Sequence, residues 1–244
     1  MRKPRRLPPE DLAPFVWEMP RGQRTEDRRQ TTETSGSAYG PSDPRPLSSV
    51  LCPLDWSAFF GSPNPVEIEV GMGKGLFLLT SALARPDTNF LGIEIVRKYQ
   101  LFAATRYAIR KLPNIKTCCA DAFAVLRDHV ATGSVAAVHV YFPDPWWKTR
   151  HRKRRVFSPQ FAAQAARVLK PGGVLHIATD VEEYFGVMTG IVRAMPAFAE
   201  MPVAATEGYQ TNFERKALLK GTAVWRAAFE RTGAAVTVAP DPVV

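Results

Sequence analysis

From residue 66 onward, short apolar runs alternate with longer stretches of helical periodicity. The runs are 66–70, 90–95, 115–119, 136–142 and 174–178. Each has the length of a β-strand, and most are rich in branched residues. Between them, Leu76, Leu79 and Leu83 predict one helical stripe, and Phe161, Ala165, Val168 and Leu169 predict another. The second stripe has Ser158 at its start, Pro159 in its first turn and Pro171-Gly172-Gly173 as its stop. Asp180-Val181-Glu182-Glu183 predicts a cap opening a further helix. Strands alternating with helices imply an α/β fold of parallel βαβ units joined by right-handed crossovers. In such sheets ligands bind beyond the carboxyl ends of the strands. Near the end, Ala223, Trp225, Ala227 and Phe229 alternate with Val224, Arg226, Ala228 and Glu230. Period two predicts a terminal strand able to pair antiparallel at one edge, although alanines are weak strand formers.

The start of the chain is different. Residues 1–45 are rich in Arg, Pro, Ser, Thr, Glu and Gly, and 21–49 hold almost no large apolar side chain. Such a stretch cannot bury enough surface to order itself. It is expected to be a flexible basic and polar arm, with a local contact around residues 12–17, ahead of one domain over 46–244. Across all 244 residues the apolar fraction is 45%, which permits a full core and excludes global disorder. The net charge of +9 fits an acidic partner, nucleic acid first and an anionic membrane surface second, and fits about equally a soluble protein that is simply basic. Cys52, Cys118 and Cys119 offer neither a disulfide framework nor a zinc spacing, which fits a reducing cytoplasm and no bound metal. No apolar run approaches the ~18–20 residues that span a bilayer. The basic start MRKPRRLPPEDL is followed by no apolar core, so a signal peptide is not expected.

The first run leads straight into Gly71-Met72-Gly73-Lys74-Gly75. Glycines there allow a tight turn and close approach of Gly71 and Gly73 to a ligand, or form a strand-to-helix turn with no ligand. Lys74 precedes Gly75 and Leu76 follows, so this is no P-loop, and glycines at 71, 73 and 75 miss the dinucleotide pattern. Glu69 just before the turn would repel a pyrophosphate but attract the cationic amino group of S-adenosylmethionine. Glu94 ends the second run, 25 residues on, near the spacing at which a carboxylate receives ribose hydroxyls. The alternative is a solvated strand-end charge. Asp121, after the third run, can receive the adenine amino group, cap the following helix, or do both. Acidic residues at three successive strand ends are more specific than any one of them.

The fourth run ends in Pro143-Asp144-Pro145-Trp146-Trp147-Lys148. The prolines fix the backbone around Asp144. A rigid carboxylate among aromatics suits a flat polar ring, accepting from its N–H edge while an aromatic stacks on it. Trp146 fits either stacking or burial. Arg150, His151, Arg152, Lys153, Arg154 and Arg155 follow. Such a run is usually a solvated face, but here it directly follows the proposed base pocket and predicts phosphate contacts.

On these motifs the chain resembles the bacterial tRNA (guanine-N7-)-methyltransferase (TrmB) family. The matching pieces are Glu69-Val70-Gly71-Met72-Gly73, Gly92-Ile93-Glu94, Asp121-Ala122, Phe142-Pro143-Asp144-Pro145-Trp146, Lys148, Arg150-His151, Lys153-Arg154-Arg155, Thr179-Asp180 and Thr211-Asn212-Phe213-Glu214. They occur in family order over roughly residues 51–231. The resemblance implies a Rossmann-like class I methyltransferase fold: a mainly parallel seven-stranded sheet with one antiparallel strand and helices on both faces. It implies S-adenosylmethionine as methyl donor and the guanine at position 46 of the tRNA variable loop as substrate. It implies cofactor contacts by Glu69, Glu94, Asp121 and Asp144, and substrate contacts by Lys148, Asp180, Thr211, Asn212, Phe213 and Glu214. Asp144 is its candidate catalytic residue. Trp147 and Ala217 depart from the family's usual residues, and the arm and tail lie outside the match.

Guanine N7 is a nucleophile without losing a proton, so no serine or cysteine system is required, and alignment is the main task. Asp144 can stabilise the developing ring cation or hold the guanine N–H edge. Asp180 can serve as a helix cap or as a substrate ligand, and Glu214 as a surface charge or a pocket acceptor. Two rival readings are a methyltransferase for protein or small molecules, which the basic run opposes, and a non-catalytic RNA-binding module, which the intact carboxylates oppose. Oligomeric state, monomer or homodimer, is not encoded in these patterns.

Overall fold

The computed structural model describes residues 7–19, 53–146, 155–203 and 211–236. Helix α1 (Pro9–Leu12), a 3-10 turn (Ala13–Phe15) and the two-residue strand β1 (Val16–Trp17) come first. Helix α2 (Trp56–Phe60) follows, and then strand and helix alternate: β2 (Val66–Val70), α3 (Leu76–Ala84), β3 (Asn89–Glu94), α4 (Arg97–Ile109), β4 (Ile115–Cys119), α5 (Ala122–His129) and β5 (Val135–Tyr141). The series ends with α6 (Pro159–Val168), β6 (Leu169–Thr179), α7 (Glu182–Arg193), β7 (Phe198–Met201), α8 (Asn212–Leu219) and β8 (Trp225–Arg231).

The strands form one sheet in the order β1-β4-β3-β2-β5-β6-β8-β7. Every pairing from β1 to β6 is parallel, and β8 runs antiparallel to both of its neighbours. The order reverses beside β2, where the chain turns outward first through β3 and β4, then through β5 and β6. That switch point is where a ligand crevice opens in a doubly wound sheet.

Two apolar clusters fix the sheet from opposite sides. On one face Phe77, Leu78, Leu79 and Ala82 of α3 meet Ala103 and Tyr107 of α4. On the other, Ile68, Val70, Val138, Val140, Leu175 and Ile177 meet α5, α6 and α7 through side chains such as Leu126, Phe161 and Met188. Side chains along a strand alternate between the faces. The residues that share the α3 side are therefore Glu67 and Glu69 on β2, His139 and Tyr141 on β5, and His176 on β6.

Several elements differ from the sequence expectation. The stripe of Leu76, Leu79 and Leu83 is displaced, because α3 buries Phe77, Leu78, Leu79 and Ala82 while Leu83 is 55% exposed. The helix is apolar nearly all round and packs on both the sheet and α4, so its sequence carries little directional information. Pro171-Gly172-Gly173 does not stop a helix. It lies inside β6, where Val135 pairs with Leu169 and Ala137 with Val174, so the extra residues bulge. Asp180 does not cap α7: Val181 takes that position without a side-chain cap, and its N–H is accepted by Thr179 Oγ1 at 3.2 Å. Strand β8 is not at an edge, because β7 pairs outside it. The sheet also gains an eighth strand, β1, whose neighbourhood is secured when Thr117 Oγ1 donates to the Phe15 carbonyl at 2.9 Å.

The turn between β2 and α3 is held from behind. Gly75 sits at φ +63, and a β-carbon there would lie 1.8 Å from the Tyr107 hydroxyl oxygen and 2.8 Å from Ala103 Cβ. The Tyr107 hydroxyl donates to the Gly75 carbonyl at 3.0 Å. Gly75→Ala is therefore expected to destabilise the cofactor-free protein by about 2 kcal/mol or more, through backbone strain and overpacking together. Urea denaturation measures it, and an unchanged midpoint would contradict this packing.

Candidate active site

Five neighbouring strands each carry a carboxylate at or just past their carboxyl ends. In sheet order these are Asp121 after β4, Glu94 on β3, Glu69 on β2, Asp144 after β5 and Asp180 after β6. A parallel sheet with one charge sign along its carboxyl edge is a site for cationic or N–H-rich groups.

Gly71, Gly73 and Gly75 all adopt left-handed backbone, with φ of +73, +54 and +63. The Gly71 and Met72 N–H groups are accepted by the Ile93 carbonyl at 2.9 and 3.2 Å, which ties the turn to β3. Glu94 adds a second tie: its Oε2 accepts from Gly73 N at 2.9 Å and its Oε1 from Val96 N at 2.8 Å. Glu94 thus shapes the turn besides standing where ribose hydroxyls were expected. Asp121 caps α5, its Oδ1 accepting from Ala124 N at 3.3 Å. Glu69 is only 3% exposed, and its Oε2 has no hydrogen-bond partner among the described residues. Burial first, and the Glu94 carboxylate second, push its carboxyl up to about 8. A buried carboxyl with an open oxygen beside a glycine turn fits the cationic amino-acid end of S-adenosylmethionine, which would restore the missing partner.

Glu67, two residues earlier on the same face, is fully partnered. Arg85 donates to both its oxygens, at 2.5 and 2.9 Å, and His139 Nε2 lies 2.9 Å from Oε2. Burial raises this carboxyl, but the hydrogen bonds and charges of His139 and Arg85 outweigh it and hold it at about 2. The His139 Nδ1 is 3.0 Å from the Tyr141 hydroxyl, and the His139 and His176 rings stack at 4.8 Å. Burial, then the neighbouring His139, pulls His176 down to about 3.

The loop after β5 is strained on both sides of its prolines. Phe142 has φ +52 and Trp146 φ +41, a region costly for bulky side chains. Two contacts hold it. Phe142 N–H is accepted by the Ala178 carbonyl at 2.7 Å, and the Phe142 ring stacks on Phe213 of α8 at 5.9 Å. Arg155 Nε donates to the Pro145 carbonyl at 2.6 Å, with its guanidinium 4.7 Å over the Tyr184 ring. Between these anchors Asp144 is exposed, and Trp146 is half-buried.

The expected site residues thus separate into groups. Glu69, Glu94, Asp121, Asp144 and Asp180 line the carboxyl edge with Gly71 and Gly73. Asp180, exposed and not used as a cap, keeps its carboxylate available. Thr211 and Glu214 form a capping box for α8: Thr211 Oγ1 accepts from Glu214 N at 3.0 Å, and the Glu214 carboxylate accepts from Thr211 N at 3.3 Å. Glu214 is buried and also paired with Arg226, so it is no surface charge. Phe213 is exposed, with Asn212 half-buried beside it. Arg155, expected on phosphate, is turned inward as a brace, because the strained loop needs a donor at Pro145. Lys148, Arg150, His151, Arg152, Lys153 and Arg154 lie outside the described residues. The buried chain of Glu67, His139 and Tyr141 was not anticipated. Its signal was Val-Glu-Ile-Glu-Val, two acids in a strand that helices cover on both faces.

A doubly wound sheet with one antiparallel strand and a carboxylate-lined, glycine-turned edge defines a class I S-adenosylmethionine-dependent methyltransferase. The 16S rRNA (adenine(1408)-N(1))-methyltransferase from Catenulisporales acidiphilia shares this fold, with a TM-score of 0.50 at 17% identity over 73% of this chain and 90% of that one. A family model described as a putative methyltransferase matches residues 63–227. The tRNA (guanine-N(7)-)-methyltransferase of Rhodopirellula baltica is 42% identical over 190 residues, 73% of this chain and 70% of its own length. That of Bordetella pertussis is 38% identical over 220 residues, 86% of this chain and 82% of its own. The chain belongs to the tRNA (guanine-N7)-methyltransferase family.

Protonation of Glu69 makes a testable demand on stability. Its carboxyl rises from 4.5 to about 8 on folding. The stabilisation this gives is complete below the unfolded value and is lost as pH rises through the folded one. Cofactor-free wild-type protein is expected to lose more stability between pH 5 and pH 8 than Glu69→Gln does. Urea midpoints at the two pH values measure the difference, and parallel profiles would place the proton elsewhere.

Proposed function

We propose that this chain transfers a methyl group from S-adenosylmethionine to N7 of a guanine in tRNA, at position 46 of the variable loop, with Asp144 as the residue at the reacting base. The observation that carries this reading is Asp144 itself. It is exposed, fixed between prolines and held by two left-handed aromatic residues at the strand end beside the glycine turn. Kinship supplies the reaction: the relatives named above are tRNA (guanine-N(7)-)-methyltransferases.

When bound, S-adenosylmethionine supplies an electrophilic methyl on a sulfonium. Glu69 holds the cationic amino end, Glu94 the ribose and Asp121 the adenine amino group. The Gly71 and Gly73 turn lets the backbone close on them. On the other side, Asp144 accepts from the guanine N–H edge and counters the positive charge that develops on the ring. Guanine N7 has its lone pair free at neutral pH, so these residues need only align and neutralise. Asp180 and α8, through Asn212 and Phe213, flank the base. Thr211 and Glu214 act on it indirectly by fixing the start of α8. Lys148 and the basic run from Arg150 to Arg154 grip the phosphate backbone of the tRNA, in the cytoplasm. Among the described residues no helix is long and apolar enough to cross a membrane.

Asp144→Ala is expected to lower methyl transfer by about 10²-fold or more while the fold persists. Transfer of labelled methyl to unmodified tRNA, with nucleoside analysis for 7-methylguanosine, measures it. Near-normal turnover would remove Asp144 from the reaction. The basic residues separate by salt dependence. Arg150→Ala with Lys153→Ala should weaken tRNA binding and reduce the log–log salt slope by roughly 1 per lost phosphate contact. Arg155→Ala should lower turnover and leave that slope unchanged, because it braces the loop from inside. Identical salt slopes for all three proteins would contradict the division.

A further inference from the structure

The turn between β2 and α3 has little shape of its own. Gly71, Gly73 and Gly75 all sit in left-handed backbone, and glycine loses more conformational freedom on ordering than any other residue. The first half of the turn is tied to β3: Gly71 and Met72 donate to the Ile93 carbonyl, and Gly73 to the Glu94 carboxylate. The second half is held by a different element. Arg106 Nη1 donates to the Lys74 carbonyl at 2.9 Å, and the Tyr107 hydroxyl donates to the Gly75 carbonyl at 3.0 Å. The Lys74 ammonium lies 5.7 Å from the centre of the Phe102 ring, over its face.

These contacts all come from one side of α4. Phe102 and Arg106 are one helical step of four apart, and so are Ala103 and Tyr107, which sets the four side chains in adjacent rows. Ala103 is small where Gly75 approaches: a β-carbon on Gly75 would lie 2.8 Å from Ala103 Cβ. Arg106 is only 7% exposed. Burying a guanidinium is costly unless its N–H groups find acceptors, and arginine is rarely found so deep. Here the buried cation reaches a peptide carbonyl of the turn that Glu69 leads into.

We propose that Arg106 and Tyr107 are positioning residues for the methyl donor: they hold the Lys74–Gly75 half of the turn in its binding shape and act on the donor only through that backbone. The proposal rests on S-adenosylmethionine binding over the glycine turn. Without the ties from α4 the turn samples further conformations, and apparent affinity falls with the fraction that stays competent. The turn serves the donor and its product S-adenosylhomocysteine alike, so both weaken by one factor. An Arg106 that acted through its charge would instead separate the two. Only the donor carries a sulfonium, so removing a nearby cation would favour the donor over the product.

Calorimetric titration of Arg106→Met with S-adenosylmethionine and with S-adenosylhomocysteine tests this, at a temperature where circular dichroism shows the variant folded. Methionine keeps much of the apolar stem and cannot donate. Both affinities are expected to fall about 10-fold, the size of one hydrogen bond from a charged donor, while tRNA affinity measured without the donor is unchanged. Arg106→Lys keeps a cationic donor and should recover part of the loss. Tyr107→Phe keeps the ring, deletes only the hydroxyl and should weaken both compounds about 5-fold. This milder change carries the test alone if Arg106→Met does not fold. Unchanged affinities in folded variants, unequal loss of the two compounds, a parallel loss of tRNA affinity, or no recovery with lysine would each overturn the positioning role. A wild-type protein that bound neither compound would overturn the donor site itself, a distinguishable failure.

Discussion

Glu67 and Glu69 stand two residues apart on one face of a strand that helices cover on both sides. Two carboxylates cannot both be ionised there without partners, because an uncompensated buried charge costs several kcal/mol or shifts its pKa until it is neutral. The chain resolves the conflict asymmetrically. Arg85 from the end of α3 and His139 from β5 take Glu67, which is then anionic and silent. Glu69 gets no cation, keeps a proton and leaves an oxygen open. The difference between the two glutamates is thus which of them the neighbouring elements can reach.

That division orders the rest of the site. His139 is drawn toward Glu67, which draws Tyr141 toward His139 and aims the end of β5. The loop that follows begins from a fixed point and must turn at once, so Phe142 enters the left-handed region. Strain of this kind persists only where the surroundings over-determine it. Here Phe213 stacks from α8 and Arg155 donates from beyond the loop. Helix α8 is itself placed by the capping box of Thr211 and Glu214 and by the Glu214–Arg226 pair with β8. The antiparallel strand and the last helix therefore contribute to the position of Asp144 without approaching it in sequence.

Much of this was legible in the chain. The five parallel strands announced themselves by length and branching, and a carboxylate at each strand end could be read off once the strands were placed. Strand β7 escaped because Phe198–Met201 is four residues with no alternation, and β1 because two residues cannot carry a pattern. The stripe of α3 was misplaced because a helix buried against a sheet and another helix has no polar face to orient it. Arg155 was indistinguishable by composition from the arginines before it. Its inward turn depends on the Pro145 carbonyl and the Tyr184 ring, which only the fold brings near. The roles of Thr211 and Glu214 were hidden for a related reason: a Thr-x-x-Glu spacing reads equally as a capping box and as a pair of pocket residues.

The charge pattern also bears on why such a site suits N7 of guanine. Methyl transfer to a neutral nitrogen creates no anion and moves a positive charge from sulfur to a purine ring. An enzyme that abstracted a proton would need a base poised near neutrality, facing the substrate. The group with that character here, Glu69, is buried on β2, whereas Asp144 in the loop after β5 is exposed. What the edge offers instead is a row of carboxyl groups at successive strand ends, with Asp144 and Asp180 exposed just past β5 and β6. Stabilisation that follows a moving positive charge requires acceptors already oriented before the charge arrives. The braced loop beneath Asp144, held by Arg155 and Phe213, is a way of meeting that requirement.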